Sequence, residues 1–129
     1  MTAIGVFVAT RWESAAVCQA FAASEMRVVG GIRCAVARQG QVEWWVIPMG
    51  VGPERATTTA GRVLGEQSFA AVWSTGFACA LGQAVIGEVL IGTHVTMEGG
   101  AEDGRSVPCA AAGADWVRQA VQQQRLPVQ

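Results

Sequence analysis

The stretch from Phe69 to Val95 constrains the fold of this chain most strongly. It begins with an apolar run, Phe69 to Trp73, continues through mostly small residues from Ser74 to Ala80, and ends in a second, mainly apolar run, Glu88 to Val95. Such runs, bounded by turn residues, predict two strands. Small side chains directly after a buried strand let a ligand reach the backbone closely, although crowding by neighbouring helices favours the same residues.

Strands and helices alternate in the N-terminal part of the chain. The continuous apolar run from Ala3 to Ala9 is typical of a strand covered on both faces. Thr10 and Glu13 have the spacing of a capping box, in which each side chain bonds the backbone N–H of the other residue. This pattern predicts a helix that extends to about Ser24.

A hairpin is predicted next. The residues from Ile32 to Arg38 alternate between apolar and polar, Gln39 to Gln41 form a turn, and Val42 to Met49 return as a longer apolar strand. Trp44 and Trp45 point to opposite faces of this second strand, so we expect at least one of them to be buried against a helix.

The Gly50-Val51-Gly52 loop follows directly, and Pro53 is suited to the first turn of a helix that runs to about Gly65. Free N–H groups at such a helix start form a candidate cradle for an anion or a polar ligand. A Gly-rich acidic loop, Met97 to Ser106, and a final helix, Ala110 to Gln124, complete the chain. The order of elements predicts one α/β domain over residues 1–129, with three layers and a mostly parallel central sheet that carries an inserted β-hairpin.

Composition excludes several classes of function. All nine basic residues are Arg, which excludes a Schiff-base lysine, and the net charge of -1 gives no basis for binding nucleic acid or an anionic membrane. One histidine and four cysteines without Cys-x-x-Cys spacing predict no metal site, and we expect no cofactor. Scattered cysteines with apolar neighbours are typical of buried thiols in a reducing compartment, so a cytoplasmic protein without an export signal is expected.

Three segments together resemble a known family. They are the first strand with Glu13 four residues after its end at Ala9, the Met49 to Gly52 loop, and Ser74 to Ala80 followed by Gly87 to Ile91. Their order and spacing resemble the N-terminal half of the nucleoside phosphorylase and nucleosidase superfamily. The most similar branches are the methylthioadenosine/S-adenosylhomocysteine nucleosidases, the futalosine hydrolases and the hopanoid-associated phosphorylases. The likeness covers essentially the whole chain and implies that the C-terminal half of the family's fold is missing.

The resemblance implies cleavage of the N-ribosidic bond of a purine-type nucleoside, with water or phosphate as the nucleophile. Glu13 matches the glutamate that orients the hydrolytic water. By the same resemblance, the residues that contact the substrate are Ala9, Val51, Gly76, Phe77, Ala78 and Cys79. Many family members have Ser-Ala-Gly-Gly where this chain has Phe77 to Ala80. The chain therefore lacks a phosphate-binding hydroxyl and two glycines at this turn.

Two further groups of the family have no match in this chain. They are the Met-Glu pair that holds the ribose and the aspartate that protonates the departing base. Met97-Glu98 follows the wrong strand, and Asp103 and Asp115 do not lie at the family's aspartate position. Loss of the acid removes a rate factor of ~10²–10⁴, so the isolated chain is expected to be a poor catalyst.

Three functional hypotheses follow. The first is a nucleoside-cleaving enzyme that is completed by its missing half or by a partner. The second is a non-catalytic nucleoside-binding or oligomerisation module, and the third is a flavodoxin-like domain without a nucleoside ligand. Arg11 and Arg55 lie near the predicted loops and are candidates to hold an anion. An uncovered sheet edge predicts a homo-oligomer that hides Trp44 or Trp45, or the edge near Val89.

Overall fold

A computed structural model describes residues 1–79, 81–96 and 106–124, which fall into two compact units, residues 1–77 and 78–129. The first unit contains β1 (Thr2–Val8), α1 (Arg11–Phe21), β2 (Glu25–Val29), β3 (Ile32–Gln39), β4 (Val42–Pro48), α2 (Pro53–Glu66) and β5 (Ala71–Ser74). The second unit contains β6 (His94–Thr96), β7 (Ser106–Pro108) and α3 (Ala111–Gln123).

The five strands of the first unit form one sheet in the order β2-β3-β4-β1-β5. Strand β1 pairs in parallel with β4 and with β5, whereas the β2-β3 and β3-β4 pairs are antiparallel. The predicted α/β fold with an inserted hairpin is confirmed. The sheet is more evenly mixed than expected, because β2 was not predicted and adds an antiparallel pair.

Alternating side chains of the sheet build two apolar layers, one under each helix. Val6 and Val8 lie on one face, with Val17, Cys18 and Phe21 of α1 packed against their cluster. Phe7 lies on the other face, in a cluster that includes the fully buried Val63 of α2. The period-2 alternation of a strand therefore produces the three predicted layers, α1, sheet and α2.

The two adjacent tryptophans divide between these layers, as predicted. Trp45 is 3% exposed and belongs to the α2 layer, where its ring meets Phe69 edge-on at 5.9 Å. Trp44 belongs to the α1 layer and stacks on Phe21 with ring centroids 4.7 Å apart. Trp45 is thus covered within its own chain, which removes it as a candidate for an interface between subunits, whereas Trp44 is only partly buried.

The helix starts in the first unit also follow the sequence. Thr10 caps α1 by accepting a hydrogen bond from the Glu13 N–H, and the Glu13 side chain bonds the Thr10 N–H in return, so the predicted capping box is present. Helix α1 ends at Phe21, before Ser24, because Ala22 adopts a left-handed conformation with φ of 53°. Helix α2 begins at Pro53, as expected.

The second unit departs from the predicted pattern. The expected strand from Glu88 to Val95 is wrong: the Val85 N–H donates to the Glu88 carboxylate in a turn, and β6 begins only at His94 and pairs with β7. In the described part of this unit, Val89 forms only a single-residue β-bridge. A longer strand would need a neighbouring strand to hydrogen-bond its backbone. Helix α3 lies where the final helix was predicted.

The predicted acidic loop lies outside the described residues except for Ser106, which begins β7. Among the helices that the structure describes, none is both long and apolar enough to cross a lipid bilayer.

Candidate functional site

The parallel strands β1, β4 and β5 end at the same edge of the sheet. Val8, the last residue of β1, pairs with Pro48 of β4, and Phe7 pairs with Ser74 of β5. The chain leaves β1 toward α1 on one face and leaves β4 toward α2 on the other face. Such a divergence between adjacent strands is a topological switch point, where open α/β sheets bind their ligands.

Glu13 is held at this edge by three backbone N–H groups. Its Oε2 accepts from the N–H of Ala9 and from that of Thr10, each at 2.9 Å. Its Oε1 accepts from the N–H of Phe77 at 3.0 Å. The residue is only 8% exposed. One carboxylate therefore joins the start of α1 to the segment that follows β5.

These hydrogen bonds fix the charge of the site. The Phe77 N–H, followed by that of Thr10, holds the pKa of the Glu13 carboxyl below its ordinary value, and this outweighs the opposing effect of burial. Glu13 is therefore ionised at neutral pH. In the described part of the chain Oε1 accepts a single hydrogen bond, so this oxygen retains the capacity to accept another donor.

Gly76 is a glycine because the Glu13 carboxylate lies against its Cα. A Cβ placed on Gly76 would lie 2.5 Å from Glu13 Oε1 and 2.7 Å from the carboxyl carbon, far inside contact distance. The backbone of Gly76 does not have a positive φ, so close approach and not conformation requires the absence of a side chain. The sequence analysis expected a ligand to approach the backbone at this turn, whereas the group that lies against Gly76 in the structure is the side chain of Glu13.

The structure brings together Ala9, Glu13, Gly76 and the Phe77 backbone. The Phe77 side chain is 81% exposed, and Val51, in the loop after β4, is 67% exposed. The remaining two predicted substrate-binding residues, Ala78 and Cys79, are exposed and belong to the second unit. Ala80 lies outside the described residues.

A cavity of about 510 Å³ opens beside the first turns of α2. Its lining residues come from the end of β4, from the loop that follows and from α2: Pro48, Met49, Gly50, Glu54, Arg55, Thr58 and Thr59. Glu13 does not line it. The sequence analysis identified the Gly-x-Gly loop and Arg55 as candidates but did not single out the threonines. The run Thr57 to Thr59 at a helix start was the available signal.

The other candidate groups have ordinary surroundings or are not described. Asp115 lies in α3 and pairs with Arg118 at 3.1 Å, and Arg11 stacks over the Trp12 ring at 4.8 Å. Met97, Glu98 and Asp103 lie outside the described residues. Within residues 1–79, 81–96 and 106–124, no three His, Cys, Asp or Glu side chains converge as metal ligands would.

The cysteines differ from the expectation of four buried thiols. Cys34 is fully buried and Cys18 is partly covered, but Cys79 and Cys109 are exposed. The expectation failed because apolar neighbours in sequence do not ensure a covering layer in space. All four are free thiols.

Compared by sequence, the chain matches no protein-family model and no curated protein. Compared by structure, it is similar to a mutant of Helicobacter pylori 5'-methylthioadenosine/S-adenosylhomocysteine nucleosidase with 5'-methylthioadenosine in the active site. The TM-score is 0.76 at 18% identity, over 100% of this chain and 62% of that one. Native futalosine hydrolase of Helicobacter pylori gives 0.77 at 18% identity, over 100% of this chain and 64% of that one.

A third similar structure is the Helicobacter pylori nucleosidase with butyl-thio-DADMe-Immucillin-A, with a TM-score of 0.76 at 19% identity, over 99% of this chain and 61% of that one. The chain thus spans about 62% of the length of the first of these structures. Identities this low establish the architecture alone. The chain has the fold of the nucleoside phosphorylases and nucleosidases.

Proposed function

We propose that this chain is a nucleosidase-like protein that binds a purine-type nucleoside at the carboxyl ends of β1, β4 and β5. The observation that carries the proposal is the Glu13 carboxylate, ionised, 8% exposed and held by the N–H groups of Ala9, Thr10 and Phe77. A charged carboxylate at a topological switch point is suited to orient a water molecule beside a bound sugar.

In the proposed reaction, a water molecule donates one O–H to Glu13 Oε1 and directs a lone pair at the anomeric carbon of the ribose. The C–O bond forms as the N-ribosidic bond breaks. The attacking water gives up one proton through Glu13 to solvent, and the base leaves with the bonding electron pair and takes up one proton from an acid outside this chain. Water suits this position better than phosphate, because an ionised carboxylate repels an anionic nucleophile.

Expulsion of the base needs an acid, and the chain itself provides no match for the family's aspartate. Positioning of the water does not replace the acid, which contributes a rate factor of ~10²–10⁴ and would have to come from a further segment or from a partner chain. The proposal therefore has two parts that can be tested separately, which are nucleoside binding by this chain and hydrolysis by the completed protein.

The test is an equilibrium titration with adenine, methylthioadenosine and ribose 1-phosphate, followed by an assay for released base. Saturable nucleoside binding and slow release that disappears in Glu13→Gln support the enzyme. Glu66→Gln is the matched control, because Glu66 also accepts a backbone N–H, from Gly30 at 2.7 Å, but lies at the end of α2. Absence of binding by the wild-type chain would contradict the proposal.

The second candidate is a non-catalytic module that binds a nucleoside or assembles with a second copy. Exposed apolar side chains favour it, including Val72 on the edge strand β5, which is 53% exposed. Binding without release supports this candidate. For assembly, light scattering at micromolar concentration is expected to show a homo-oligomer that Val72→Arg weakens. Met26→Arg, at the opposite edge on β2, is the control, and a strictly monomeric wild type would contradict assembly.

A further inference from the structure

The two carboxylate oxygens of Glu13 have different partners. Oε2 accepts from the N–H groups of Ala9 and Thr10, each at 2.9 Å, whereas Oε1 accepts from the Phe77 N–H at 3.0 Å. The partners of Oε2 immediately precede α1, and the partner of Oε1 lies 64 residues away in sequence. The bonds to Oε2 therefore decide which oxygen faces the segment after β5.

Thr10 contributes to this arrangement through its backbone and through its side chain. Its N–H bonds Oε2, and its hydroxyl oxygen accepts from the Glu13 N–H at 3.3 Å. A hydroxyl that accepts one hydrogen bond can also donate its own proton. The backbone of Thr10 is extended, with φ of -111° and ψ of 161°, so this residue holds the first turn of α1 from outside the helix.

The electrostatics of the carboxyl agree with this geometry. The pKa of Glu13 is lowered first by the Phe77 N–H and next by the Thr10 N–H, against the opposing effect of burial. The Ala9 N–H and the Thr10 side chain lower it further. Since an ionised carboxylate only accepts hydrogen bonds, the Thr10 hydroxyl acts on it as a donor.

The capping box uses only one oxygen of Glu13. A box needs a single glutamate oxygen, which accepts the N–H of the N-cap residue, and Oε2 has this role here. Oε1 lies instead against Gly76, where a Cβ would be 2.5 Å away. The pair that begins the helix thus also directs the second oxygen toward the carboxyl ends of the parallel strands.

We propose that Thr10 is a positioning residue for the hydrolysis in which Glu13 orients the water, an inference that rests on the proposed function. The Thr10 hydroxyl holds the first turn of α1, and thereby Oε1, in the orientation that the attacking water requires. Without the hydroxyl the carboxylate turns more freely, so a smaller fraction of molecules holds the water in line with the anomeric carbon. Thr10 itself contacts neither the water nor the nucleoside.

The test compares Thr10→Val, which removes the hydroxyl at nearly constant shape, with Thr10→Ser, which retains it. Release of base at saturating methylthioadenosine should slow about 10-fold to 100-fold in Thr10→Val, as for loss of a hydrogen bond to a charged group, and recover in Thr10→Ser. The half-saturating nucleoside concentration should change less, because an oriented water stabilises the transition state and not the bound substrate. An undiminished rate in Thr10→Val, or an equal loss in both variants, would overturn the proposal.

Thr57→Val is the matched control. Thr57 also lies near the start of a helix, and its hydroxyl donates to the Pro53 carbonyl at 2.7 Å, but it is exposed and belongs to α2. This variant should release base at the wild-type rate. A loss as large as that in Thr10→Val would show a general effect of a weakened helix start, and would overturn the specific role of Thr10.

A second measurement needs no nucleoside. The Glu13 carboxyl carbon, followed by ¹³C NMR, should titrate at higher pH in Thr10→Val than in the wild type, and at the wild-type pH in Thr10→Ser. An unchanged midpoint in Thr10→Val would overturn the role of the hydroxyl. A shifted midpoint in a protein whose wild type releases no base would contradict the proposed hydrolysis but support the effect of Thr10 on the carboxylate, so the two failures are distinguishable.

Discussion

Substitution of Gly76 by alanine tests the arrangement around Glu13. The new methyl carbon would lie 2.5 Å from Glu13 Oε1, so the carboxylate must move away from the Phe77 N–H. The forced overlap costs about 1–3 kcal/mol, and loss of a hydrogen bond to a charged acceptor costs about 1.5–3 kcal/mol. Replacement of glycine by alanine at a compatible φ also lowers the conformational entropy of the unfolded chain, which stabilises the protein by about 0.4–1 kcal/mol. We expect a net loss of unfolding free energy of about 1.5–5.5 kcal/mol.

The assay is urea unfolding followed by tryptophan fluorescence, applied to a double-mutant cycle with Glu13→Ala. In the Glu13→Ala background the carboxylate that would overlap the new methyl group is absent, so Gly76→Ala should lower the free energy of unfolding by less than about 0.5 kcal/mol. Gly61→Ala is the control within the same unit, because nothing lies within 4 Å of its Cβ position and it lies inside α2. It should stabilise the protein by about 0.5–1 kcal/mol. An equal cost of Gly76→Ala in both backgrounds would refute the reasoning.

Three further predictions follow from titratable and ionic groups. Because the folded-state pKa of Glu13 is lowered, its contribution is fully present above the unfolded value of about 4.3 and is lost as pH falls through the folded value. The stability difference between wild type and Glu13→Gln should therefore stay constant from neutral pH down to about 4.3 and shrink at lower pH, and a difference that stays constant below about pH 4.3 would contradict the lowered pKa. The Glu43 carboxylate lies 3.1 Å from both Arg27 and Arg38, and 13% of its side chain is exposed. Glu43→Gln should lower the free energy of unfolding by about 1 kcal/mol, and by less at high salt. A loss that does not depend on salt would exclude an ionic origin. Burial raises the pKa of the Cys34 thiol to about 11. A thiol reagent should therefore modify the exposed Cys79 and Cys109 first and Cys34 only on unfolding, with the labelled sites located by mass spectrometry. Early labelling of Cys34 would contradict its burial.

Local patterns were sufficient to predict most of the first unit. The Thr10 and Glu13 spacing predicts the α1 start, and the Gln39 to Gln41 turn places the β3-β4 hairpin. Strand β2 was missed because the pair Gly30 and Gly31, which separates it from β3, was not predicted to be a hairpin turn. Their φ values of 58° and 78° instead make a two-residue hairpin turn, the type that Gly-Gly favours.

The candidate site was predictable only in part. Glu13 and Gly76 were identified from the residues and the family resemblance, but their contact joins positions 63 residues apart in sequence, and no local pattern encodes such a contact. The strand expected from Glu88 to Val95 failed for the same reason. Its apolar run satisfies the local criteria, whereas strand formation depends on a partner elsewhere in the chain.

The most direct test of the proposed function is a titration of the amide ¹H–¹⁵N spectrum with methylthioadenosine. Nucleoside bound beside Glu13 should shift the amide signals of Ala9, Thr10 and Phe77 together, with one saturable dissociation constant, because these three N–H groups share one carboxylate. Unchanged signals from all three amides at saturating nucleoside would contradict a nucleoside site at Glu13.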